Sequence, residues 1–393
     1  MHKKFEDYAC NEPFYHPRTM PVMNPFITRG YVSPHYFCDR ENETENLISL
    51  LKNGNNVVLM SPRRMGKTGL IRHCFQQPAL KEQTNTFLVD IYATKNLHEF
   101  VFQLGKAVLG ELKPRGRRVW ETFVNALSSL RSGITFDING NPEWSIGLGD
   151  IKSPMATLDE IFQYLKGCDK HCIVAIDEFQ TIAYYPEKNV EALLRTYIQY
   201  CNNATFIFCG SQRHMMSEMF ASPARPFYQS SSMMTLAPIV VGRYVDFACR
   251  MFAEHQRQIL PEVVEEVYQR VEGVTWYVQS ILNALFSLTE VNEICRAERI
   301  DEAIQQIIDQ QSFAYSTLLY QLPSRQKELL MAICKEGKAS NITSSRFLKK
   351  YKFTASSVQS AIKGLLEKDL VANNLGVYTP YDQFFALWIL QQS

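Results

Sequence analysis

Two short stretches hold the residues whose types and spacing can do chemistry. Residues 56–72 read N-V-V-L-M-S-P-R-R-M-G-K-T-G-L-I-R, an apolar run, a tight loop and then apolar residues at helical spacing. Val57, Val58, Leu59 and Met60 predict a short buried strand, because a continuous apolar run closed by a turn signal suits a parallel strand covered on both faces. From Ser61 to Thr68 the chain spells S-x-x-x-x-G-K-T, one residue away from the phosphate-binding pattern G-x-x-x-x-G-K-[ST]. Gly66 lets the backbone approach an anion, successive N–H groups and the following helix N-terminus hold it, and Lys67 reaches the β and γ phosphates. Thr68 places its hydroxyl on Mg²⁺. The candidate nucleotide-binding set is therefore Ser61, Pro62, Arg63, Arg64, Met65, Gly66, Lys67, Thr68 and Gly69. Ser61, where the pattern has its first glycine, asks a residue with a Cβ to make the turn.

The second stretch is H-C-I-V-A-I-D-E-F-Q at 171–180. Its apolar run predicts a strand that ends in Asp177 and Glu178. In a P-loop ATPase such a strand delivers the first acid to the Mg²⁺ shell, while the second accepts a proton from the attacking water. The alternative is a surface acidic turn after a core strand. The spacing of about 110 residues after the loop leaves room for two strand–helix units and favours the catalytic reading. A third apolar run at 204–209 closes on Gly210, Ser211 and Gln212; a polar side chain there can sense the γ-phosphate or orient water. Arg213, Arg225 and Arg243 are downstream cations able to reach the γ-phosphate of their own site or of a neighbour's, with Arg225 in S-P-A-R-P the first choice, and structural pairing is the alternative for each.

The elements that must position these groups follow from periodicity. Residues 1–35 carry five prolines among aromatics and predict an extended arm laid over a folded surface. A helix with an acidic first turn follows, with Asp39 as its N-cap. Further strands are expected at 86–92 and 233–241, and helices at 97–112 and 187–201. A basic cluster at Lys113, Arg115, Arg117 and Arg118 reads first as a solvated loop, with phosphate or nucleic-acid contact as its alternative. Residues 133–150 alternate apolar and polar about Asn139-Gly140, a β-hairpin inserted into the nucleotide domain. Amphipathic segments at 244–254, 263–271, 276–288 and 300–319, with no convincing strand between 242 and 320, predict a helical lid. Trp276 and Tyr277 are expected to pack under it in preference to stacking on a base. Helices at 324–334 (capped by Ser324), 344–350 and 354–368 (capped by Thr354), then a hairpin at 370–379, describe a winged helix.

Composition agrees with a multidomain, cytoplasmic enzyme. The chain has 393 residues, 46% of them hydrophobic, enough for two to four domains with real cores. A net charge of +1 argues neither for nor against nucleic acid, so any basic patch is local. Ten cysteines without a C-x-x-C read as reduced, mostly buried thiols. No apolar run approaches 18 residues and no secretory h-region opens the chain, so neither membrane span nor signal peptide is expected.

These residues resemble the signal-transduction ATPases with numerous domains (STAND), in particular the archaeal-type and Bacteroidetes-type ATPases of the AAA+-like group. The resemblance covers nearly the whole chain. It rests on F-x-D-R-E-x-E at 37–43, P-R-R-x-G-K-T at 62–68, V-D-x-Y at 89–92, I-D-E-F at 176–179, Gly210-Ser211, and E-G-V-T-W-Y-V-Q at 272–279, which looks like the family's G-x-P-x-Y-x-Q lid motif with Thr275 in place of proline. It implies an α/β P-loop core of the additional-strand (ASCE) class with sheet order 5-1-4-3-2, a helical lid and an adenine pocket near Asp39 and Arg40.

The expected organisation is an arm over 1–35, an ATPase core over 36–241, a lid over 242–320 and a winged helix over 321–393. ATP and Mg²⁺ are the expected ligands. Ser356, Gln359, Ser360 and Lys363 form the outward face of the third winged-helix helix, with Lys349, Lys350 and Lys352 before it. That face meets either DNA or a partner protein, or the winged helix packs on the nucleotide domain, and oligomerisation on ATP binding is a further option. The expected function is an ATP-hydrolysing conformational switch. A DNA-bound initiator or mobile-element helper, and a nucleotide-binding regulatory module with negligible turnover, are the alternatives.

Overall fold

The computed structural model describes residues 24–112, 134–136, 142–144 and 151–392. The basic cluster at 113–118 and the Asn139-Gly140 turn lie outside the described residues. The strands are β1 (Val57–Met60) and β2 (Thr84–Asp90), then β3 (Ile134–Phe136) and β4 (Pro142–Trp144), then β5 (His171–Asp177), β6 (Ala204–Gly210) and β7 (Ser232–Thr235). Five of them form one parallel sheet in the order β2-β5-β6-β1-β7, while β3 and β4 pair antiparallel as the expected hairpin. Counting only the five sheet strands, this is 2-3-4-1-5, the expected order read from the opposite edge.

Alternation along the strands divides the core into two layers. Val58, Met60, Val174, Ile176, Phe206 and Phe208 face a cluster completed by helices Leu97–Leu112, Pro154–Lys166 and Val190–Gln199. Val57, Leu59, Ile173, Ala175, Ile207 and Cys209 face the helices Glu41–Lys52 and Lys67–Gln76. A parallel strand buried on both faces reads as a continuous apolar run because neither side chain row reaches water. The catalytic candidates sit where those runs stop, at the C-terminal edge of the sheet.

Lid and winged helix share one hydrophobic cluster, from Tyr244 and Phe252 through Ile281 and Tyr315 to Phe384 and Ile389. The lid is built on Val241–Glu254, Pro261–Arg270, Thr275–Leu288 and the long helix Arg299–Tyr320. The winged helix follows as Ser324–Glu336, Ser345–Tyr351 and Ala355–Glu367, with a closing helix Gln383–Gln391. Tyr315 packs on Phe385, and the Trp388 indole N–H donates to Ser312 Oγ at 3.1 Å, tying the closing helix to the lid. The arm residue Phe26 is fully buried in this cluster beside Phe247, Phe252 and Phe286. The side chains of Asn24 and Asn283 then fasten arm to lid, Asn24 Nδ2 donating to Asn283 O and Asn283 Nδ2 to Phe26 O, both at 2.8 Å.

Several expectations are corrected. The lid does contain strand pairing: β8 (Gln258–Ile259) and β9 (Ile294–Cys295) form a small parallel pair too short for a periodic signal. The fifth sheet strand ends at Thr235, and residue 241 already opens a helix, because Pro238 cannot donate to a ladder. The helix expected from 187 runs Val190–Gln199, after a 3₁₀ turn at Phe179–Tyr184. Asp39 is not a helix cap: it and Arg40 both take left-handed backbone, and the helix opens at Glu41 without a side-chain cap. Ser324 does not cap its helix either, since Pro323 holds that position, whereas Thr354 makes a full capping box with Ser357. The wing gains a third strand: β10 (Ala339–Ser340) pairs with β12 (Val377–Pro380), which pairs with β11 (Val371–Asn374). The nine described cysteines form no disulfide.

Candidate nucleotide site

The loop after β1 turns without asking Ser61 for a strained backbone. Positive φ is carried by Arg64 (68°) and Gly66 (89°), so Ser61 serves where the pattern has glycine, and it is 1% exposed. A side chain at Gly66 would be strained by that φ, which fixes the glycine. Lys67 opens the following helix and is itself buried; its Nζ donates to Ser61 O at 2.9 Å and Pro62 O at 3.1 Å, which stretches the cation along the loop. Thr68 Oγ1 donates to Asp177 Oδ2 at 2.6 Å. Two hard oxygen donors 2.6 Å apart beside a phosphate loop fit Mg²⁺, which is held by one or two protein oxygens with the substrate's phosphates and needs no larger cluster of acids.

The register of the sheet brings the acids together. Asp90 stands opposite Asp177 at the ends of β2 and β5, and Glu178 is the first residue beyond β5. Glu178 holds left-handed backbone (φ 57°), a strained position for a residue with a side chain, and its Oε2 accepts from Ser211 Oγ at 2.6 Å and from Gln180 Nε2. Gln180 was not legible as a site residue; it is 2% exposed, and it also reaches Ser211 Oγ at 3.4 Å.

Other candidates lie elsewhere. The Gln212 amide accepts from the Tyr184 phenol at 3.2 Å, away from Glu178. Arg225, the first choice for a phosphate cation, is bound by Glu191 at 2.5 Å and stands 3.7 Å from Glu218, so its pairing is structural. Arg243 lies 3.8 Å from Asp39, and Arg213 is exposed.

A cavity of about 330 Å³ opens beside the loop, a size suited to a nucleotide. Lys67, Thr68, Asp177 and Glu178 line one end; Arg40, Phe37, Tyr244 and Gln279 line the rest, with the arm residues Ile27, Thr28 and 30–33 along its side. Of the two residues expected near the base, Arg40 lines the cavity and Asp39 does not. The arm is fixed there by the Tyr31 phenol against His73 at 3.0 Å and by the Trp276 indole N–H to Thr28 O at 3.1 Å.

The lid and the winged helix close on the same loop. Thr275 begins the lid helix with its hydroxyl donating to Met65 O at 3.3 Å, and Trp276 N donates to Arg64 O at 3.0 Å. Threonine thus adds a loop contact that proline has no group to make. Arg64 donates to the Tyr277 phenol and, at 2.9 Å, to Asp382 Oδ2 of the winged helix, with its guanidinium 4.4 Å above Trp276. Trp276 and Tyr277 thus pack with the lid core, as expected, and the Arg64 guanidinium lies over both rings. Burial lowers the Arg64 pKa, but the bond to Asp382 outweighs it with its companions and leaves the cation strengthened. Burial, then the Asp382 carboxylate, pushes the Tyr277 phenol up, so it stays neutral. Arg63 donates from Nε to Ser211 Oγ at 3.2 Å and from a terminal nitrogen to Asp369 Oδ2 at 3.2 Å, and lies 3.7 Å from Glu178 Oε1.

The fold is shared with known proteins. Residues 37–281 match the model of an ATPase domain family found predominantly in Archaea. The chain belongs to that family of ATPases. Residues 313–391 match a probable winged helix domain. Among solved structures, the Walker-type ATPase PABY2304 of Pyrococcus abyssi is similar over 93% of this chain and 99% of its own, at 17% identity and a TM-score of 0.60. The Aeropyrum pernix ORC2 protein in its ADPNP–ADP complexes is similar over 94% and 98%, at 15% identity and 0.53. The Aeropyrum pernix ORC1 protein in complex with DNA is similar over 92% and 94%, at 14% identity and 0.52. These likenesses establish the fold. No match is found among curated proteins, and among the described residues no helix is long and apolar enough to cross a membrane.

Proposed function

We propose that this chain binds and hydrolyses Mg²⁺·ATP and works as a conformational switch, its nucleotide site coupled to the lid and winged helix. The observation that carries the reading is the meeting of Lys67, the Thr68–Asp177 pair and Glu178 at one end of a nucleotide-sized cavity whose loop is gripped by the lid through Thr275 and Trp276 and by the winged helix through Asp382. Lys67 and the backbone N–H groups of the loop hold the β and γ phosphates. Thr68 and Asp177 would hold Mg²⁺, which when bound would offset charge on the transferred group. Glu178 takes a proton from the attacking water as its oxygen bonds to the γ-phosphorus and the bond to the β-phosphate oxygen breaks; ADP leaves with that electron pair. Ser211 orients Glu178. ATP is thus the substrate, and loss of inorganic phosphate alters the contacts the loop offers to lid and winged helix.

A second reading adds DNA. The ORC1 relative is described in complex with DNA, and Ser356, Gln359, Ser360 and Lys363 are all exposed on helix Ala355–Glu367 of this chain. Phosphate release with and without duplex DNA tests both readings together. The switch predicts turnover above background; a DNA-bound helper predicts turnover that rises with DNA; a passive nucleotide module predicts tight Mg²⁺·ATP binding with no release in either arm.

A further inference from the structure

With Arg225 paired to Glu191, the loop's own Arg63 is a second cation, besides Lys67, placed among the catalytic candidates. It lines the cavity, and its guanidinium touches three things at once: Ser211 Oγ (3.2 Å), the neighbourhood of Glu178 Oε1 (3.7 Å) and Asp369 of the winged helix (3.2 Å). We infer that Arg63 is the cation this chain offers to the transferred phosphoryl group, and that Asp369 withholds it, so that winged-helix docking and hydrolysis compete for one guanidinium. The inference rests on the ATPase reading above.

The chemistry of the two partners makes the exchange natural. A guanidinium presents several N–H donors in a planar fork that matches carboxylate and phosphate oxygens alike, so Nε can stay on Ser211 while the terminal nitrogens change acceptor. The Asp369 side chain is 38% exposed and the Arg63 side chain 22%, a pair weak enough in water to be exchanged for a multiply charged phosphate. The rings of Tyr92 and Tyr381 lie 4.8 Å and 5.2 Å from the guanidinium carbon and bound its path. Arg64 differs: it is held by the lid as well as by Asp382, which suits a fixed strut.

The test uses the full chain with Asp369→Asn. Asparagine accepts the left-handed backbone that Asp369 holds (φ 52°), so the fold is kept while the carboxylate is lost. Expected is a rise of kcat by about fivefold or more with KM changed less than about twofold, reversed in Asp369→Glu. Arg63→Ala lowers kcat by on the order of 10²–10³, within the range for a phosphate-directed arginine, and adding Asp369→Asn to it changes nothing further. A second readout is hydrogen exchange over residues 369–380 in a Glu178→Gln background: Mg²⁺·ATP speeds exchange there when Arg63 is present and not in Arg63→Ala. The inference is overturned if Asp369→Asn leaves both kcat and exchange unchanged, or raises kcat equally without Arg63. Should the wild type bind Mg²⁺·ATP but release no phosphate, the hydrolysis reading fails, and the exchange measurement alone decides whether Arg63 leaves Asp369 for the nucleotide.

Discussion

The nucleotide edge of the sheet and the exposed helix of the winged helix contrast in how their polar groups are held. At the sheet edge the flagged side chains are bonded to one another or to the loop: Lys67 to Ser61 and Pro62, Thr68 to Asp177, Ser211 to Glu178. On helix Ala355–Glu367, Ser356 reaches Thr354 at 3.3 Å, Lys363 lies 4.0 Å from Glu367, and the outward face is otherwise open to water. A network of mutual bonds sets geometry before a ligand arrives, so single substitutions there have large, non-additive effects. A solvated face works through summed charge, and each residue on it carries a small, salt-dependent share.

The largest break at the sheet edge is Lys67→Ala. A point charge aimed at the β and γ phosphates disappears, and Mg²⁺·ATP affinity should fall by on the order of 10³ or more in calorimetry. The lysine's Nζ is bonded to loop carbonyls, so the circular dichroism spectrum should be retained. Unchanged affinity would remove the phosphate-loop reading. Asp177→Asn comes next: affinity should drop by on the order of 10-fold or more with Mg²⁺ and hardly at all with ATP in EDTA if the carboxylate bonded to Thr68 belongs to the proposed metal shell. Equal losses in both conditions would place Asp177 outside the metal shell.

Arg64→Ala probes the junction between loop, lid and winged helix. It removes the bonds to Tyr277 and Asp382 and the stacking on Trp276, for a cost of about 1–3 kcal/mol in thermal or denaturant unfolding. A loss below ~0.3 kcal/mol would mean that the junction is not a structural strut. The smallest effects belong to the winged-helix face. If it reads duplex DNA, Lys349→Ala and Lys363→Ala should each reduce the salt slope of binding by roughly one unit, whereas Lys350→Ala should do less, because Glu336 already binds that lysine at 2.6 Å. A mobility shift that never develops at ~50 mM salt would assign the face to a protein partner.

How much of this was legible depends on the range of the signal. The loop at 61–68 and the acids at 177–178 are local patterns tied to strand ends, and the sheet brings them together as expected. The β8–β9 pairing escaped because two-residue strands have no periodicity. The pairing of Arg225 is not legible because its partners, Glu191 and Glu218, lie on other elements, and spacing cannot show which charge an arginine will meet. Gln180 was passed over for a related reason: its role depends on a 3₁₀ turn that folds it back onto Glu178 and Ser211. The strut through Arg64 was the least legible, since it joins residues 64, 277 and 382 across three parts of the chain.

The most direct measurement compares phosphate release and Mg²⁺·ATP affinity in the wild type and in Glu178→Gln. Glutamine keeps the shape and one acceptor for Ser211 and Gln180 but cannot take up a proton. Turnover should fall by on the order of 10²–10⁴ while affinity stays within a few-fold, and the loaded lid helix should be protected from proteolysis. A wild-type rate above background that Glu178→Gln leaves unchanged would contradict the assignment of Glu178 as the base, and with it the account of hydrolysis at this site.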